Sequence, residues 1–92
     1  MADDFSVRLV ARQEGVEYRS AGEVYRFDVL LRDGAWDLYL PCTTGDDFMP
    51  HELTEAEAAE IMPRVVDRLA HDRIFGAVVR SYPVRIVRRP AP

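Results

Sequence analysis

Apolar residues occupy every second position on both sides of an Asp-Gly pair. Tyr25, Phe27, Val29 and Leu31 precede it; Trp36, Leu38, Leu40 and Cys42 follow it. Asp33-Gly34 suits a two-residue type I′ turn, which needs positive φ at both central positions. Folding the chain there predicts a hairpin with Leu31 opposite Trp36, Val29 opposite Leu38, Phe27 opposite Leu40 and Tyr25 opposite Cys42. A slip of one residue would send half of these groups to water, so the pattern admits one register. The other face carries Arg26, Asp28, Leu30, Arg32, Ala35, Asp37 and Tyr39. Leu30 and Tyr39 form an apolar spot rimmed by charge. Arg32 can reach Asp37 diagonally, and Arg26 or Asp28 can pack on the Tyr39 ring.

The flanking segments extend this sheet. Phe5, Val7 and Leu9 alternate with Ser6 and Arg8, predicting a half-buried strand that ends near Arg12. After a turn at 13–16, Val16–Arg19 reads as a short returning strand, broken by Ser20-Ala21-Gly22. Further on, Thr54 and Glu57 have the spacing of a capping box, with Leu53 placed to staple onto Ala58. The stripe Ala58, Ile61, Met62, Val65, Val66 and Leu69 predicts a helix over about 55–71. Pro63 is expected to kink or split it near Ile61-Met62, bending it over the sheet. Gly76 is expected to end the helical region, and Ala77–Arg89 reads as a last strand. Arg80 shares the parity of Val78, Tyr82, Val84 and Ile86, and a bulge at Pro83 is expected to reset the faces. The expected fold is α+β: an antiparallel sheet of about four strands with one Pro-kinked helix on one face, in the order β-β-β(-β)-α-β. It fills one domain over residues 1–92, with 90–92 as a frayed tail.

Composition narrows the setting. A chain of 92 residues, 48% apolar, suits one globular domain. No stretch approaches the roughly 20 apolar residues of a membrane span. The acidic start Met-Ala-Asp-Asp-Phe lacks the apolar core of a signal peptide, and the single Cys42 excludes an internal disulfide. A cytoplasmic protein is expected. All twelve basic residues are Arg, with no Lys or Asn, a bias that suits GC-rich coding and a bacterial source. Residues 1–60 hold five Arg and fourteen acids, whereas residues 61–92 hold seven Arg and two acids. The two halves therefore attract each other, within one molecule or between two.

Candidate chemistry is sparse. The segment 41–52 reads as an acidic, irregular crossover from sheet to helix. Within it, Asp46, Asp47, His51 and Glu52 lack the spacing that puts metal ligands on one element. A Cys42/His51 nucleophile pair is opposed by the apolar parity of Cys42, and Thr43-Thr44-Gly45 is no phosphate loop. Trp36 reads as core. Arg80, Arg85, Arg88 and Arg89 are expected to pair with acids of neighbouring strands or of a second subunit, because the chain is acidic overall and no aromatic is interleaved among the last arginines.

These residues point to a small non-enzymatic interaction or accessory module of bacterial type, with no cofactor, metal or membrane. Its partner is a protein, including a second copy in a homodimer. The interface candidates are Asp28, Leu30, Arg32, Asp37, Tyr39, Asp46, Asp47 and Arg85. In size and charge the chain is similar to toxin-neutralising immunity proteins, which implies an acidic surface masking a basic partner. The remaining alternatives are a small-ligand or catalytic site on the 41–52 loop, and nucleic-acid binding through the C-terminal arginines, which the acidic balance disfavours.

Overall fold

The computed structural model describes residues 4–90. Four strands come first: β1 (Phe5–Val10), β2 (Gly15–Ser20), β3 (Glu23–Arg32) and β4 (Ala35–Leu40). A small hairpin, β5 (Cys42–Thr44) and β6 (Met49–His51), leads into α1 (Glu55–Ala70). The chain ends with β7 (His71–Ile74), β8 (Ala77–Ser81) and β9 (Val84–Arg88). The main sheet runs β1-β2-β3-β4-β9, with β5 and β6 joined to it through β3. Strands β7 and β8 form a separate two-stranded arm.

The Asp33-Gly34 hairpin forms in the predicted register near its turn, from Arg32↔Ala35 to Val29↔Leu38. Beyond that the register differs: Tyr25 faces Thr44, not Cys42, and Arg26 faces Thr43. The β3–β4 ladder ends at Val29↔Leu38, without the expected Phe27–Leu40 pair, and beyond Pro41 the chain rejoins β3 two residues out of step. Two residues is the strand period, so Cys42 keeps its face and is buried.

The core follows from this alternation. Val16 and Tyr18 from β2, Phe27 and Val29 from β3, and Trp36 and Leu38 from β4 meet Ile61, Val65 and Leu69 of α1. The three helix residues recur every four positions and so lie on one face. The predicted capping box is present: Glu57 N donates to Thr54 Oγ1 at 3.1 Å, and Thr54 N donates to Glu57 Oε1 at 2.8 Å. Of the two outcomes expected at Pro63, a kink or a split, the split does not occur: α1 runs through it as one helix. Pro63 and Ala59 are both exposed, so water can serve the carbonyl that proline leaves without a donor.

The strand count and the C-terminal half need correction. Nine strands are present among the described residues, not about four. Residues 15–20 form a full strand, and the supposedly irregular crossover contains the β5–β6 hairpin. The helix ends at Ala70, one residue short of the expected 71, and Gly76 occupies the turn between β7 and β8 rather than ending a helical region. Ala77–Arg89 is two strands, not one bulged strand. Tyr82 N donates to Ala70 O at 2.7 Å and Pro83 O accepts from Trp36 N at 2.9 Å, carrying the chain from the arm back to the main sheet. There β9 lies parallel to β4, from Trp36↔Val84 to Leu40↔Arg88. Arg80 is therefore exposed on the arm, where it donates to Tyr82 Oη at 3.4 Å.

Candidate protein interface

Three groups of side chains border the core. The first lies on the sheet face turned away from α1. Glu17 sits in register between Arg8 and Arg26, and Arg19 Nε donates to its Oε1 at 2.6 Å. Above all that bond, opposed by burial, holds the Glu17 carboxyl below its usual range. Asp37 is buried and accepts from Arg85 Nε at 2.7 Å and from Arg32 Nη2 at 3.0 Å. Asp28 pairs with Arg89 at 2.8 Å, and the Arg89 guanidinium lies 5.5 Å from the Tyr39 ring centre.

The second group joins the small hairpin to the helix start. Glu57 Oε2 accepts from Tyr25 Oη at 2.8 Å, and Oε1 lies 2.9 Å from His51 Nε2. The Thr54 amide first, then His51 and Tyr25, pull the Glu57 carboxyl down to about 2. Burial, reinforced by this bond, pushes the Tyr25 hydroxyl up to about 12, and burial pushes the Cys42 thiol up to about 11. Every Glu57 oxygen is occupied, and Cys42 is enclosed with its Sγ 3.4 Å from His51 O. This arrangement is a clamp holding β6 and β3 to the helix cap. Neither a poised base nor an accessible thiolate results. Among the described residues no group of three His, Cys, Asp or Glu side chains is placed to hold a metal ion.

The third group is the arm. Ile74↔Ala77 closes a two-residue turn at Phe75-Gly76 with φ of 52° and 81°. Positive φ at both central positions is normally filled by Asn, Asp or Gly. Here a phenylalanine takes the strained position, and it is fully exposed. Ile74, Val78 and Val79 beside it are also exposed. At the base of the arm, Phe5 and Val7 of β1, Arg64 and Arg68 of α1, and Ile74 and Val79 line a groove of about 650 Å³. It runs along β1, the edge of the main sheet.

The structure therefore sorts the eight sequence-derived candidates. Leu30, Arg32 and Arg85 share the face opposite the helix with exposed side chains, Asp28 lies there in its ion pair, and Tyr39 is half-buried beneath Arg89. Asp37 lies under its two arginines, so it positions them and does not itself reach a partner. Asp46 and Asp47 are exposed in the β5–β6 turn, beyond Arg26, which donates to Gly45 O at 2.7 Å. Among the C-terminal arginines, Arg85, Arg88 and Arg89 pair with Asp37, Glu52 and Asp28 as the acidic balance suggested. The arm residues were missed. Their signal was Phe75-Gly76, a third residue-Gly turn resembling Asp33-Gly34 and Ala21-Gly22, placed between apolar neighbours. No family model, curated protein or solved structure matches this chain.

Proposed function

We propose that this protein is a small, non-enzymatic interaction module of bacterial type, working in the cytoplasm as a homodimer assembled through the β7–β8 arm. The observation that carries the reading is Phe75, a fully exposed aromatic in a backbone conformation that costs an L-residue about 1–2 kcal/mol. A residue that weakens the isolated fold and touches nothing in it is accounted for by a contact outside it. An isolated two-stranded hairpin is marginal in water, so a covering surface also supports the arm itself.

A second copy is the partner this geometry favours. Each chain carries both an apolar tip and a groove of about 650 Å³, the size of pocket that takes a few large side chains. In a twofold pair each tip fills the other chain's groove, so neither feature is left over. The groove borders the open edge of β1, which can receive backbone hydrogen bonds from an incoming strand.

Light scattering after size exclusion tests this. The expected result is a dimer that Phe75→Asp converts to a folded monomer and Leu30→Asp leaves intact. A monomer at high concentration, or a dimer indifferent to Phe75→Asp, would falsify the assignment.

A further inference from the structure

On the face opposite α1, two of the three carboxylates lie beneath their guanidiniums, while the third, Asp28, is exposed beside Arg89. Glu17 and Asp37 side chains are 9% and 3% exposed, whereas Arg8 and Arg32, which pair with them, are 64% and 60% exposed. Arg19 and Arg85 each engage their carboxylate through Nε, leaving both Nη nitrogens without a protein acceptor among the described residues. With Arg26 and Arg89, six arginines share this face with the three acids Glu17, Asp28 and Asp37. A chain of net charge −4 thus presents a cationic sheet surface. Leu30 lies exposed in its middle, in register with Asp37 and Arg85.

We propose that this face is a docking surface for an acidic protein segment in extended form, its carboxylates meeting the outward guanidiniums and an apolar side chain covering Leu30. Arginine's planar fork matches carboxylate geometry, and two open Nη groups are the half of the fork that a second carboxylate uses. The face crosses four strand spacings, about 19 Å, room for about six residues of extended chain. A nucleic acid fits less well. Tyr39 lies under Arg89, so that ring is not open for base stacking, and the rest of the acidic chain repels a polyphosphate. This surface is separate from the arm, and its test does not depend on the oligomeric state.

The probe is a fluorescein-labelled peptide of about ten alternating Glu and Leu residues, with its Gln counterpart and a labelled oligothymidylate as comparisons. The variant is Arg8→Gln with Arg89→Gln. It spares the fold, since Glu17 keeps Arg19 and Arg26 and Asp28 is exposed; circular dichroism checks this. Saturable anisotropy is expected with the Glu peptide alone, weakening with salt and severalfold weaker in the double variant. Amide shifts should map to β1–β4 and β9, and Phe75→Asp should bind as the parent does. Absence of binding, binding unchanged in the double variant, or tighter binding of oligothymidylate each overturns the proposal.

Discussion

Arg85 and Asp37 are 48 residues apart in sequence, lie in register across the parallel β4–β9 pair, and meet at 2.7 Å from Nε to Oδ1. The carboxylate is enclosed while the guanidinium is half open to water, 3% against 51% exposed. That imbalance makes the pair asymmetric to mutation. Removing Asp37 leaves cations that water can solvate; removing both Arg85 and Arg32 leaves a buried carboxylate without a partner. Urea unfolding should show the Arg32→Ala, Arg85→Ala protein destabilised by about 3 kcal/mol, with Asp37→Ala costing clearly less. Equal losses would mean that Asp37 is better hydrated than its enclosure implies.

Acid should loosen the clamp at the helix start. In the folded chain the Glu57 carboxyl is held at about 2, against an ordinary 4.5. A group with a lowered folded value contributes stability above its unfolded value and loses it as pH falls towards the folded one. The affected window is therefore pH 4.5 down to about 2. Glu57→Gln should be less stable than the parent at neutral pH yet lose less on acidification across that window. Parallel stability curves for the two proteins would sink this account.

Phe75 offers a backbone test that does not involve its ring. Phe75→Ala and Phe75→Asn both remove the aromatic, but Asn tolerates positive φ better than Ala does. The Asn protein should unfold at higher urea, by about 1 kcal/mol or somewhat less. No difference would indicate that the turn is not held in the left-handed region.

Pro63 is exposed in the interior of α1, where it supplies no N–H. Pro63→Ala restores a donor and a better helix former, and thermal or urea unfolding should report a gain of about 1–3 kcal/mol. A loss of stability would show that Pro63 is needed to seat Ile61 and Val65 on the sheet.

Cys42 is enclosed, with its thiol pushed up to about 11. The native protein should therefore resist alkylation by iodoacetamide at neutral pH and react fully in denaturant. Rapid native labelling would contradict the packing of Cys42 in the core.

Local patterns in the chain were enough to specify its short-range choices. Alternation of apolar residues around Asp33-Gly34 dictated the hairpin and its buried face, because a strand's period of two leaves no other face to bury. Thr54 and Glu57 dictated where the helix begins, because free amides at a helix start demand acceptors. Whatever depends on distant neighbours emerged only from the folded chain. No local pattern says that β9 will run parallel to β4, since a parallel pair is made by a crossover of many residues. Nor could Pro83 be read as the joint between two sheets rather than a bulge, because its carbonyl's partner is the Trp36 amide, 47 residues earlier. The arm's exposure, and with it the meaning of Phe75, follows from that joint. Once Tyr82 and Pro83 return the chain to the main sheet, residues 71–81 form a hairpin outside it, and the apolar side chains at its tip are left in water.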